Sequence, residues 1–278
     1  MSIANSSPEA SLLPWETAPA RYWELLAKKC ATVQASFAPF DVPEATIVAS
    51  PQEEYRARAE FRIWHDGDDL DYVMFDPAKP RIPVCINDFP PALSPIRKLL
   101  SPLRDALREN LRLRRKLFQI EFMASTTGEL LVTLVYHRAL DEDWLAAAEQ
   151  LAERFGILIV GRSRKQKLVL SRDYICERVE LSGKQFSYRQ YEQAFAQPNA
   201  PVNTQMLAWA CEQAASLSPD AKQDLLELYC GNGNFTLPLS QYFNTVIATE
   251  LSKSGTRAAG ENLLANAIDN VSVVRLSA

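Results

Sequence analysis

Residues 225–235 read Leu-Leu-Glu-Leu-Tyr-Cys-Gly-Asn-Gly-Asn-Phe, and this stretch decides the fold of the second half of the chain. An apolar run of strand length meets a Gly-x-Gly turn, and a helical pattern follows over 235–243. Glycine permits the positive φ of a tight turn and lets a ligand approach the backbone closely. The third glycine of the dinucleotide pattern is replaced at that spacing by Thr236, which weakens a dinucleotide reading. The next apolar run ends Ala248-Thr249-Glu250. A carboxylate there can accept both ribose hydroxyl protons of a bound nucleoside. A plain strand–helix turn without a ligand explains the glycines, but leaves the position of Glu250 a coincidence. Cys230 lies inside the motif. Thiolates add to pyrimidine rings, yet a small apolar residue at a crowded strand end is the simpler reading.

Outward from this loop, the spacing predicts helices over 201–216 and 252–267 and a strand over 270–276. Strand, helix, strand, helix, strand opens a doubly wound parallel sheet, an α/β Rossmann-like domain. The first half reads differently. Tyr22, Leu25, Leu26, Cys30 and Val33 share a helical face within 14–37. Ala57, Ala59, Phe61 and Ile63 alternate with Arg56, Arg58, Glu60 and Arg62, the mark of a strand with one cationic face. A hairpin turn at 65–69 and a returning strand over 70–75 follow. A helix is expected over 91–111, restarting at Ser101-Pro102. A second hairpin spans 116–137, an amphipathic helix 143–155, and short strands 157–160 and 167–170. This half is α+β. The boundary falls between 182 and 199, giving domains 1–190 and 191–278.

The chain has 278 residues, room for about two domains. Its 47% hydrophobic and 23% charged residues exclude a disordered, collagenous or disulfide-rich class. The formal charge of −4 gives no global sign of nucleic-acid binding. Residues 1–14 lack a cationic start followed by an apolar run, and no stretch of about 18 apolar residues occurs. The five cysteines are scattered and only two histidines are present, so no zinc or iron–sulfur site is expected. A cytoplasmic monomer without metal or membrane contact is the expectation. Local basic stretches do exist, at 97–116, at Arg162, Arg164, Lys165 and Lys167, and on the 56–62 strand. Three arginines on one strand face repel unless anions or acids meet them.

Together, 225–235, the upstream Ala194-Phe195-Ala196-Gln197-Pro198-Asn199 and the pair Asn203 and Gln205 resemble the RNA uracil-C5 methyltransferases. Residues 55–67 and Lys116-Leu117-Phe118-Gln119-Ile120 resemble the tRNA-directed branch of that family. The resemblance runs from about residue 14 to the end. It implies S-adenosyl-L-methionine as cofactor, held by Gln197, Tyr229, Gly231, Gly233, Asn234 and Glu250. It implies the T-arm of tRNA as partner, or other T-arm-like RNA, met by Arg56, Arg58, Arg62, Phe118 and Gln119. Phe118 would stack on an unpaired base.

The implied reaction makes 5-methyluridine in the T-loop. A cysteine adds to C6 of uracil, C5 attacks the methyl group, and a base removes the C5 proton. In the family the nucleophile lies in a Ser-Cys-Asn-Pro stretch after an Asp-Pro-Pro-Arg motif, and a later glutamate is the base. The 278 residues contain neither stretch. The expectation is a methyltransferase domain that is incomplete, with no catalytic residue in this chain and no activity alone. Two other readings compete. A non-catalytic tRNA-binding or tRNA-folding module would bind RNA independently of Glu250. A nicotinamide dehydrogenase would bind NAD and leaves the arginine strand unexplained.

Overall fold

The computed structural model describes residues 12–13, 15–217 and 223–276. Pro14, where the first expected helix begins, lies outside them. A 3-10 turn, Pro19–Arg21, leads into α1 (Tyr22–Phe37). Tyr22, Leu25, Leu26 and Cys30 are half-buried on one side of α1, whereas Val33 is exposed.

The hairpin β1 (Arg58–Asp66) and β2 (Asp69–Phe75) forms as the alternation predicts, with Ala59, Phe61 and Ile63 on the core side. β3 (Pro83–Cys85) adds an edge strand. α2 (Ser94–Glu109) runs unbroken through Pro102 instead of restarting there. Pro102 has no N–H for the carbonyl one turn back, at a cost of about 3 kcal/mol. Leu99, Leu100, Leu103 and Leu107 bury on one face across that point. Each is worth about 1.5–3 kcal/mol, so packing outweighs the lost bond. α3 (Leu111–Arg114) follows, capped by the Asn110 side chain. β4 (Leu117–Ala124) and β5 (Leu130–Tyr136) form the second hairpin. α4 (Glu142–Phe155) starts at an Asp141 cap and ends at Gly156, whose φ of 63° suits a left-handed cap. It carries the chain over to β6 (Leu158–Ser163), which pairs parallel to β5, and β7 (Gln166–Val169) turns back. The seven strands lie in the order β3-β2-β1-β4-β5-β6-β7. The main core fills the space between one face of this sheet and the helices α2, α3 and α4.

β8 (Tyr174–Leu181) and β9 (Lys184–Tyr191) form a hairpin absent from the expected elements. Ser182 and Gly183, both at positive φ, make its two-residue turn. At its start Ile175 packs on Met123, Leu131 and Val160 of the large sheet. Further along, Val179, Leu181, Phe186 and Tyr188 pack with Leu207, Leu237 and Leu263 of the second half.

α5 (Ala200–Ser216) is capped by Asn199. β10 (Leu225–Glu227) is shorter than the apolar run before the glycine turn, because Tyr229 adopts a left-handed φ of 57° and ends the extended backbone. α6 (Thr236–Leu239) is one turn, continued by a 3-10 turn, Ser240–Tyr242. β11 (Val246–Glu250), α7 (Lys253–Ala265) and β12 (Val271–Arg275) complete a parallel sheet ordered β10-β11-β12. The open edge of β9 is closed by side chains of α7. Asn262 accepts from the Arg189 N–H at 2.7 Å, and Asn266 both accepts from Ser187 N–H (2.9 Å) and donates to its carbonyl (2.8 Å). Two amides one helical turn apart thus imitate the ladder of a neighbouring strand.

Candidate functional site

The loop after β10 is held from three sides. Cys230 N–H donates to Thr249 C=O at 2.9 Å, which extends the pairing of β10 with β11. Gly233 N–H donates to Cys230 C=O (2.9 Å), and Leu237 N–H to Gly233 C=O (3.1 Å), so the turn feeds directly into α6. Gly231 and Gly233 stand at φ of 60° and 84°. A Cβ on Gly233 would come within 2.7 Å of Leu237 Cδ1, so a side chain there would displace the end of Leu237 as well as strain the backbone. From α7, Asn262 donates to the Asn232 carbonyl at 3.0 Å.

Glu250 meets this loop directly. Its Oε2 accepts from Gly231 N–H at 3.0 Å, and its Oε1 from Ser252 N–H at 2.6 Å. The two backbone bonds fix the carboxylate between the glycine turn and the start of α7. Each oxygen keeps a second lone pair for a vicinal diol. Gly255 allows this approach, since a Cβ there would lie 2.9 Å from Glu250 Cγ.

Asn234 exchanges two hydrogen bonds with Asn203 of α5, at 3.0 and 2.8 Å, and its carbonyl accepts from the Tyr188 hydroxyl at 3.1 Å. Asn203 lies outside the expected site residues, although a buried asparagine on an otherwise apolar helix face is a readable signal. Tyr229 projects beside the loop and is 68% exposed. Gln197 is half-buried in the segment joining β9 to α5. That segment is pinned by Pro198 C=O, which accepts from Ala57 N–H at 2.7 Å, and by Asn199, which donates to Ser50 Oγ at 2.7 Å. The structure thus gathers Tyr229, Gly231, Gly233 and Asn234 on one loop, with Glu250 at the end of β11 bonded to it and the Gln197 segment leading into the helix that contacts it.

Cys230 is 4% exposed, and burial, with Glu227 and Glu250 nearby, pushes its thiol up to about 12. It is a packing residue beside Ala248 and Ala259. Burial also raises Glu227, which accepts from Thr236 Oγ1 at 2.6 Å.

The arginine strand is less open than its alternation suggests. Arg56 and Arg62 are exposed, but Arg58 is partly enclosed. Its guanidinium donates to the carbonyls of Tyr191 (3.1 Å) and Glu192 (3.4 Å), tying β1 to the end of β9. Arg62 lies 4.0 Å from the centre of the Phe118 ring, and the His137 ring stacks on Phe118 at 3.9 Å. Gln119 donates to Glu121 at 2.8 Å. The run at 97–116 is largely neutralised within the fold. Arg97 pairs with Asp88, Arg104 with Asp71, Arg108 with Asp69 and Asp71, Arg112 with Asp143, and Arg114 with Asp68. Asp68 of the β1–β2 turn and Asp69 and Asp71 of β2 supply most of these partners, which periodicity along one element cannot reveal.

A parallel sheet opening on a glycine loop, with a carboxylate ending the second strand, is an arrangement by which α/β folds can hold a nucleoside. The solved structure of a Pyrococcus abyssi tRNA (uracil-54, C5)-methyltransferase, in complex with S-adenosyl-L-homocysteine, has this fold. It superposes with a TM-score of 0.65 at 17% identity, over 91% of this chain and 63% of that one. The model of the tRNA (uracil-5-)-methyltransferase family matches residues 21–278, and the chain belongs to that family. A tRNA/tmRNA (uracil-C(5))-methyltransferase of Dechloromonas aromatica is 54% identical over 259 residues, covering 93% of this chain and 70% of the relative. One of Vibrio parahaemolyticus is 45% identical over 265 residues, with 94% and 70% covered. Among the described residues, no helix is long and apolar enough to cross a membrane.

Proposed function

We propose that the chain binds S-adenosyl-L-methionine at the 229–234 loop and Glu250, and presents to it the T-arm of a tRNA. The target is C5 of the T-loop uridine, at the position for which the Pyrococcus abyssi enzyme is named. The observation that carries the reading is the Glu250 carboxylate fixed against the Gly231 N–H in a chain of this family. The residues fit the group: the carboxylate suits the ribose diol, and the turn at Gly231 and Gly233 brings bare backbone to the ligand. When bound, the cofactor supplies an electrophilic methyl group.

The residues divide the work. Glu250 accepts from the ribose hydroxyls. Tyr229, exposed beside the loop, covers the adenosine. Gln197 and Asn234 bind the amino-acid end, with Asn203 holding Asn234 in place. On the RNA side, Arg56 and Arg62 take phosphates, while Phe118 and Gln119 meet bases exposed in the loop. Arg58 acts by holding β1 to the end of β9. In this reading residues 1–190 form the RNA-binding part and 191–278 the cofactor part. The β8–β9 hairpin lies at their junction and packs on both.

The thiol that adds to C6 is not Cys230, because a buried thiol raised to about 12 is protonated at neutral pH. With neither the Ser-Cys-Asn-Pro nor the Asp-Pro-Pro-Arg stretch of the family among its 278 residues, the chain alone is expected to bind both ligands without turnover. Methyl transfer from labelled cofactor to a T-arm transcript, run beside RNA binding, tests this. RNA binding without transfer is expected. Transfer that Cys230→Ala abolishes overturns the assignment of the thiol, and NAD binding in place of the cofactor overturns the reading as a whole.

A further inference from the structure

The β6–β7 hairpin carries Arg162, Arg164, Lys165 and Lys167, a cationic cluster that the cofactor site leaves unused. Arg162 and Lys167 face the start of α7 across an open groove of about 610 Å³, with Tyr191, Glu192, Lys253 and Arg257 among its lining residues. The charges in the groove are of two kinds. Arg162 is held by Glu192, and Lys167 by Asp173 at 2.6 Å and Glu192 at 3.1 Å. These four groups make a balanced floor.

The α7 wall is not balanced. Lys253 is exposed and forms no ion pair among the described residues. Arg257 lies 4.6 Å from the centre of the Tyr191 ring, which fixes the direction of its guanidinium. Its nearest carboxylate is Glu261, with Oε1 at 3.6 Å, and Glu261 also accepts from Arg189 and from the Tyr191 hydroxyl. One negative charge thus serves two guanidiniums. Arg164 and Lys165, both exposed at the β6–β7 turn, add two more positive charges at the end of that hairpin. Lys253 follows Glu250 by three residues, so the groove opens beside the ribose carboxylate.

We propose that this groove is a track for RNA backbone phosphates, with Lys253 and Arg257 each engaging a phosphate of the strand that flanks the target base. Arg164 and Lys165 continue the path. The inference rests on the RNA-methyltransferase reading above and adds a second contact surface to it, on the cofactor side. Guanidinium and ammonium groups bind phosphate without reading bases. The track therefore adds affinity and salt dependence for any strand that enters it.

The test is fluorescence anisotropy of a labelled T-arm stem-loop and of a scrambled single strand, titrated with the full chain across a salt series. Each phosphate contact contributes a slope of about 0.7–0.9 in log affinity against log salt. The double variant Lys253→Gln/Arg257→Gln is expected to lower the slope by about 1.4–1.8 on both RNAs. Lys79→Gln, an exposed lysine on the far edge of the large sheet, is expected to leave it unchanged. Binding of S-adenosyl-L-homocysteine confirms that each variant is folded. If the double variant does not fold, Lys253→Gln alone is expected to lower the slope by about 0.7–0.9. An unchanged slope in the folded Lys253 variants, with wild-type RNA binding intact, overturns the track alone. Wild-type chain that binds S-adenosyl-L-homocysteine but no RNA overturns the RNA reading and the track with it.

Discussion

Cys230 shows how environment decides what a reactive side chain does. It sits within the 229–234 loop proposed to hold the cofactor, where a nucleophile would be useful. Yet it packs against Ala248 and Ala259, and its thiol is pushed up to about 12. Reactivity follows the thiolate fraction and exposure, and both are low here. Alkylation at mildly alkaline pH, mapped by mass spectrometry, is expected to label the exposed Cys85 at least tenfold faster than Cys230 in the folded chain. Phe118 is the opposite case. Its ring is stacked by His137 and by Arg62. A base that stacks on Phe118 therefore has to displace one of two side chains already stacked there.

At the scale of elements, the β8–β9 hairpin is held by packing on one face and by side-chain amides along one edge. Asn262 serves both β9 and the glycine loop, through Arg189 and the Asn232 carbonyl. Asn262→Ala leaves buried backbone groups without partners, and is expected to cost about 2 kcal/mol, read as a fall in Tm of about 4–8 °C. An unchanged Tm would show that water replaces the amide. The same hairpin marks where the sequence was hardest to read. β1 was legible because it buries one face and alternates cleanly, and β2, β4 and β5 because each is an apolar run bounded by a turn. The β8–β9 alternation is just as regular, but Glu177, Arg178 and Glu180 make it look like a polar connection. Its Ser182-Gly183 turn was the available signal. The run through Pro102 was illegible for another reason: the decision there belongs to tertiary packing, not to local propensity. In the site, Glu250 and the glycines were legible as a motif. Asn262 was not, because its partners lie far away in sequence.

At the scale of the molecule, one carboxylate links the large sheet to the segment that leads into α5. Glu192 is nearly enclosed, and burial pushes its pKa up. The hydrogen bonds and charges of Arg162 and Lys167 outweigh that and hold it below the usual carboxylate range. A carboxylate depressed in the fold contributes stability above its unfolded value of about 4.3, and that contribution is lost as pH falls through the folded value. Glu192→Gln is expected to cost about 3 kcal/mol at pH 7, because Arg162 loses its carboxylate partner and Lys167 keeps only Asp173. The loss should shrink as pH falls below about 4, and thermal melts between pH 3 and pH 7 check both. The net charge of −4 is resolved in the same terms. Most arginines of the α2 and α3 run pair with nearby acids, Asp68, Asp69, Asp71, Asp88 and Asp143. Exposed cations on β1, on the β6–β7 turn and at the start of α7 are among those left for a partner.

The central claim is a nucleoside pocket built on Glu250 and the glycine loop of a tRNA uracil methyltransferase. Calorimetric titration of S-adenosyl-L-homocysteine into the intact chain tests it most directly. Saturable one-to-one binding is predicted, weakened at least tenfold by Glu250→Ala through loss of about 1.4 kcal/mol or more of charged hydrogen bonding. Absence of binding, or equal affinity in wild type and Glu250→Ala, would contradict it.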